Sequence, residues 1–142
     1  MSIGSISTAL SGALAQTQRL AGSANNVANQ RSTGAIPAAD GTVQPDQTQA
    51  YQPQSFSQTA VGGPNGQGQG TRVVARPVTP AYIPEYQPDS TDANTDGLIA
   101  APNVDPAAER LDQISSLRAF QANLALIRTQ DEIERSAINS LA

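Results

Sequence analysis

Cysteine, histidine, tryptophan and lysine do not occur in this sequence. Without cysteine there is no disulfide framework and no thiol chemistry. Without cysteine and histidine together, the usual ligands for zinc, copper and iron are missing. Histidine, cysteine and lysine are also the commonest general bases and nucleophiles, so most catalytic constellations have nothing to be built from. Two carboxylate pairs sit at helical spacing, Asp131 with Glu134 and Asp105 with Glu109. On an exposed helix such pairs serve solvation, and no glycine-rich phosphate loop joins a strand to a helix. These absences point away from an enzyme, a cofactor and a small-molecule substrate.

Positive charge is also scarce. All eight basic residues are arginine, scattered among twelve acids, for a net charge of −4. No basic patch forms, which argues against nucleic acid as a partner. Ile, Leu, Val and Phe number 27 of 142 residues, a low apolar content for a self-sufficient core, so a chain long enough for one modest domain is expected to complete that core with partners. No run approaches the 18 or so apolar residues of a membrane span. The N-terminus has no basic segment, the first arginine being Arg19, so a Sec signal peptide is not expected. Taken alone, these features read as cytoplasmic.

What is present is organised around residues 102–142. Asp105 can accept from the free N–H groups of a first helical turn, and Pro106 then occupies the position where its missing N–H costs nothing. No Pro or Gly follows. Leu111, Ile114, Leu117, Phe120, Leu124 and Ile127, then Ile138 and Leu141, recur every three or four residues, the period of an amphipathic helix. A helix of this length suggests a coiled coil or an assembly. Its stripe is either an intramolecular core or a seam for other subunits, and its charges form a solvated face.

Residues 3–28 read as a second helix. One heptad position holds Ile3, Leu10, Thr17 and Ala24, and another holds Ile6, Ala13, Leu20 and Val27, with Leu14 widening the stripe; this is a coiled-coil seam pattern. The other faces are small and nearly uncharged, which allows close approach by neighbours. Three glycines each cost about 1 kcal/mol against alanine, so packing must order this helix. Asn29 is expected to end it in the left-handed conformation.

Residues 31–104 hold eight of the eleven glycines and nine of the ten prolines. Ser55–Val61 and Thr71–Ala75 are strand-like and flank a flexible Pro64–Gly70 tip, which predicts a small hairpin. Pro77, Pro80, Pro84 and Pro88 make the next stretch extended and unfit for a central strand. A P-x-x-P match at Pro77–Pro80 is formal only, since proline-rich connectors are commoner. Asp92-Ala93-Asn94-Thr95-Asp96-Gly97 matches the first half of a calcium loop, but the position that needs a bidentate Glu is Asn103. The plainer reading is an Asx-rich turn with Gly97 at positive φ. The expected fold is mainly α, with long terminal helices paired as a coiled-coil-like hairpin (1–30 and 105–142) around an irregular, β-containing middle (31–104).

Three segments converge on a family. They are Ala24-Asn25-Asn26-Val27-Ala28-Asn29, then Asp92–Gly97 running into Pro102-Asn103-Val104-Asp105, then Arg118-Ala119-Phe120-Gln121-Ala122-Asn123. In this order and spacing they resemble bacterial flagellar axial proteins of the rod and hook family, most closely the proximal rod type. The motif positions are Asn25, Asn26, Asn29, Asp92, Asn94, Asp96, Gly97, Pro102, Asn103, Val104, Asp105, Arg118, Gln121 and Asn123. The resemblance implies a structural subunit of the flagellar basal-body rod, exported uncleaved through the flagellar type III apparatus and so placed across the periplasm. It implies helical stacking of the paired terminal helices into a hollow, torque-transmitting shaft, with copies of itself and other rod proteins as partners. Ile3, Ile6, Leu10, Leu14, Leu20 and Val27, with the C-terminal stripe, would form the assembly interface. An accessory adaptor or cap, another rod or hook paralogue, or an unrelated helical binding module are the other readings of such helices.

Overall fold

The computed structural model describes residues 3–63 and 68–141; the side chain of Ile3 and the Pro64–Gln67 part of the expected hairpin tip lie outside the described residues. In chain order the elements are α1 (Ile3–Ala28), β1 (Gln54–Gly62), β2 (Gly68–Pro77), β3 (Tyr82–Tyr86), β4 (Leu98–Pro102) and α2 (Pro106–Ser140). Two terminal helices thus bracket a small antiparallel-strand middle.

The end of α1 and the start of α2 are set by side chains at their flanks. Asp105 Oδ1 accepts from the N–H groups of Ala107 and Ala108 at 2.9 and 3.2 Å, the expected N-cap. At the end of α1, Asn29 Nδ2 donates to the Asn25 carbonyl at 3.0 Å and to Asn25 Oδ1 at 2.6 Å. No described non-glycine residue has positive φ. Asn29 therefore closes the helix with its side chain, not in the left-handed conformation expected of it. Along α1 the hydroxyls of Ser7, Thr8, Ser11 and Thr17 donate to carbonyls three or four residues back, so these hydroxyls are satisfied within the helix.

The strands form two two-stranded sheets, β1 with β2 and β3 with β4. β1 and β2 are the expected hairpin, but β2 starts at Gly68, so the last three residues of the predicted tip are strand. Gly70 explains this: its φ is +111°, a side chain there would overlap Ser11, and Ser11 Oγ accepts from Thr71 N at 3.1 Å. β3 is the proline-punctuated stretch. It pairs antiparallel with β4, Pro84 standing opposite Ala100. Ala100 spends its own N–H and C=O on Gly34, at 2.8 and 3.0 Å. Pro84 therefore occupies a non-hydrogen-bonded pair, where its missing N–H leaves no gap.

Contacts divide the chain into two compact units. One comprises residues up to Ala21, Phe56–Val74 and those from Leu111 onward; the other comprises Gly22–Ser55 and Ala75–Arg110. In the second, β4 is the centre, with Ile99 and Ala100 fully buried and Ala35 beside them. In the first, the buried side chains are Ala9, Ala13, Ala15 and Gln16 of α1 and Ser116 and Gln130 of α2. Among the described residues no helix is long and apolar enough to cross a membrane.

Candidate assembly surface

The buried residues of α1 are Ala9, Gly12, Ala13, Ala15, Gln16, Ser23 and Asn26, with Arg19 half-buried among them. Of the heptad frame read from the sequence only Ala13 is buried among the described side chains; Ala9, Gly12, Gln16, Ser23 and Asn26 each stand one residue before a frame position. The two helices of the first unit accordingly meet through small and polar groups. A Cβ on Gly12 would lie 2.8 Å from Asn123 Oδ1, so glycine is what lets α2 come this near. Asn123 is held in turn, its Nδ2 donating to the Ala119 carbonyl at 2.8 Å. Arg19 is ion-paired with Asp112 across the helices. Apolar pockets of about 180 Å³, between Thr17, Leu20, Leu117 and Phe120, and about 40 Å³, between Ile6, Leu126 and Ile127, open along this contact.

The large side chains expected to form an interface lie at the margin of this contact or outside it. Ile6, Leu20, Val27, Phe120, Leu124 and Ile127 are half-buried. Leu10 and Leu14 are 50% and 57% exposed, and Leu111 is 69% exposed. Ile114, Leu117, Ile138 and Leu141 are exposed too. Every residue from Asp131 to Leu141 is exposed. The chain therefore carries two outward apolar strips, one on α1 and one on α2, and a distal stretch of α2 that buries nothing.

Several of the motif positions lie in the second unit and make hydrogen bonds within it. Asn26 is 1% exposed and uses its whole amide. Its Oδ1 accepts from Tyr51 Oη at 2.9 Å and Gln54 N at 3.1 Å, and its Nδ2 donates to Gln54 O at 2.7 Å and Glu109 Oε1 at 2.6 Å. Ser23 Oγ donates to the Glu109 carbonyl at 3.1 Å. Burial, and then the nearby Glu109 carboxylate, hold the Tyr51 phenol above its ordinary pKa of 10.0.

The Asp92–Gly97 segment is an Asx turn joining β3 to β4. Asn94 Oδ1 accepts from Asp96 N and Leu98 N, both at 2.9 Å, and Gly97 has φ +74°. Asp92 Oδ1 accepts from Thr48 N at 2.7 Å. Asn103 Nδ2 donates to the Pro80 carbonyl at 2.9 Å, Pro102 is buried at the end of β4, Val104 is half-buried, and Asp96, Arg118 and Gln121 are exposed. Sequence reasoning missed β4, the Gly34 approach, and the buried Gln16, Ser116 and Gln130. The signal available for β4 was Leu98-Ile99, two large apolar residues directly after a turn.

Comparison with known proteins places this arrangement. Residues 95–141, which include β4 and all of α2, match the family described as flagellar basal body rod FlgEFG protein C-terminal. The flagellar basal-body rod protein FlgC of Bacillus subtilis is 46% identical over 39 residues, 28% of this chain and about a quarter (26%) of that protein. Longer similarity is found with the FlgC proteins of Agrobacterium fabrum and Yersinia enterocolitica. The first is 30% identical over 135 residues, 92% of this chain and 88% of the relative. The second is 33% identical over 118 residues, 81% of this chain and 79% of the relative. With both helices and the middle segment aligned to relatives over most of their length, the chain belongs to the flagellar basal-body rod protein FlgC family.

Proposed function

We propose that this protein is a structural subunit of the proximal rod of the bacterial flagellum, and that it stacks helically through α1 and α2 to form part of a hollow, torque-transmitting shaft. The observation that carries the reading is similarity to rod proteins along nearly the whole chain. The outward apolar strips support it. Leu10 and Leu14 on α1, and Leu111, Ile114 and Leu117 on α2, gain burial only when another chain covers them, worth about 25 cal/mol per Å² of apolar surface. Its partners are then copies of itself and other rod proteins. Its place is the basal body, reached through the flagellar export apparatus.

Leu124 tests this. It is half-buried on α2, and stacking would enclose it further. Leu124→Asp would then place an unpaired carboxylate in every interface, at a cost of several kcal/mol per copy. Cells carrying it are expected to be non-motile, without complete basal bodies, at normal protein level. Normal swimming with Leu124→Asp would refute burial of this face in a working rod.

A further inference from the structure

Two strand edges are left open. In the β3–β4 pair, Ile83 stands opposite Ala101 and Glu85 opposite Ile99. Asn103 and Gln87 extend that ladder, donating to Ala81 O and Gly97 O at 3.0 and 2.9 Å. Backbone groups alternate between the two edges of a strand. Tyr82, Pro84 and Tyr86 therefore aim theirs away from β4, where they meet no partner among the described residues. Ile83 to Tyr86 are all exposed. In the hairpin, Val78 N donates to Pro53 O at 2.9 Å, whereas Thr71 N points away from β1, to Ser11 Oγ at 3.1 Å. By the same alternation Val73, Ala75 and Pro77 lie on the outer edge of β2 with Thr71. Beyond Thr71, no described residue outside the hairpin bonds to that edge.

We propose that the β3 edge of one copy pairs antiparallel with the β2 edge of a second copy, Pro84 opposite Ala75 and Glu85 opposite Val74. This rests on the rod reading above for the nearness of copies, and adds a contact made outside the helices. An open edge is a template for another strand, and charge selects which one. Arg72 and Arg76 are exposed on β2 and form no ion pair among the described residues, and Glu85 has no cation beside it. Pairing β3 with β3 would bring Glu85 to Glu85, and β2 with β2 arginine to arginine. β1 carries no charge to offer Glu85. The direction follows from the faces. Directly opposite residues of an antiparallel pair share a sheet face. One face then collects Tyr82, Pro84 and Tyr86 with Pro77, Ala75 and Val73. The other sets Glu85 against Val74, diagonally between Arg72 and Arg76. A parallel pair slips by one residue, which puts the arginines beside the tyrosines and Glu85 among Val73 and Ala75.

The register follows from hydrogen bonding. Sliding β2 one way sets Tyr86 against Thr71, where Ser11 already takes the edge. Sliding it the other way sets Pro84 against Pro77, a pair without any N–H. The register between them lets Tyr86 and Val73 exchange both bonds, Ala75 N donate to Pro84 O, and Tyr82 N donate to Pro77 O. Exposed ion pairs add little affinity, so the ladder and the apolar face bind while the charges choose the partner. Each copy offers one edge of each kind, so a third copy adds as the second did.

The chain has no cysteine, so introduced thiols are the only ones it carries. Cells whose only copies are Val74→Cys and Glu85→Cys, made together as separate chains, would be used to isolate basal bodies. These are then oxidised and run on a non-reducing gel. Opposed residues of a non-hydrogen-bonded pair lie about 4.5 Å apart at Cα, within disulfide reach. The expected product is a mixed disulfide between the two variants. It should exceed that of Val74→Cys made with Ile83→Cys or with Gln87→Cys, the partners in the two displaced registers. A stronger product with either of those, disulfides only between like variants, or none at all would overturn the proposal while leaving the rod reading intact. Absence of the unmodified chain from basal bodies would overturn both. Should the cysteine variants fail to enter basal bodies, charge exchange decides. Glu85→Arg should abolish swimming, and Glu85→Arg with Arg72→Glu and Arg76→Glu should restore it. Normal swimming with Glu85→Arg alone, or no restoration, overturns the pairing.

Discussion

Asn26 joins four groups at one buried point: the end of α1, Tyr51, the start of β1 and the first turn of α2. Replacing it with Leu fills its volume but strands the Gln54 amide and carbonyl. Each buried polar group left unpaired costs about 1–3 kcal/mol, so a loss of about 3 kcal/mol is expected. Denaturant unfolding followed at the tyrosines would measure it, and the Gln54 amide should lose its exchange protection. Gly34 is held by sterics alone, since a Cβ there would overlap the Thr48 carbonyl and the Ala50 amide. Gly34→Ala should therefore cost about 1–3 kcal/mol by overpacking and loosen the hydrogen bonds to Ala100, seen as faster exchange of the Ala100 amide. Tyr51 adds a pH dependence. Its folded pKa lies above 10.0, so the native state holds the phenolic proton more tightly than the unfolded chain does. Its contribution is fully present below pH 10 and is lost as pH rises through the folded value. The stability difference between the native protein and Tyr51→Phe should shrink above pH 10 and stay flat from pH 6 to 9.

At the scale of elements, helix limits were legible because capping chemistry is local. Asp105-Pro106 and Asn25–Asn29 mark their ends with side chains that act within four residues. The hairpin was legible for the same reason. The orientation of the helices was not, and the cause is geometric. Leu111, Ile114, Leu117 and Phe120 are three residues apart at each step, and a step of three falls about 60° short of a full turn. Four such residues wind about half-way round α2, so Leu111 faces solvent and Phe120 the groove. In α1 the large residues mark one frame, but close helix approach selects small ones, and Ala9, Gly12 and Gln16 go inward. β4 was hidden by its two alanines and by a register that depends on Gly34, some 65 residues away in sequence. Two outcomes follow. Leu111→Ser should change the stability of the single chain by less than about 0.5 kcal/mol, yet lower incorporation into basal bodies, measured by immunoblot of isolated bodies. The turn at Asp92–Gly97 already uses Asn94 Oδ1 and Asp92 Oδ1 for backbone N–H groups, so calorimetric titration with calcium should show no saturable heat; a micromolar site lost in Asp96→Ala would contradict that assignment.

The whole molecule divides into a part that satisfies itself and a part that does not. β4 is enclosed by β3 and Gly34, and the Asn26 amide is fully bonded. By contrast, α2 beyond Gln130 has no buried side chain, and Leu10, Leu14 and Leu111 meet solvent. Stability should be uneven accordingly. In dilute solution, circular dichroism should show less helix than Ile3–Ala28 and Pro106–Ser140 would give, with fast amide exchange after Gln130 and slow exchange at Ile99 and Ala100. The most direct measurement is the fate of the unmodified chain when basal bodies are isolated. A rod subunit co-purifies with them, at a fixed stoichiometry to the other axial proteins, and cells lacking it build no rod. Recovery of the chain in the soluble fraction only, with complete basal bodies assembled in its absence, would contradict a structural role in the rod.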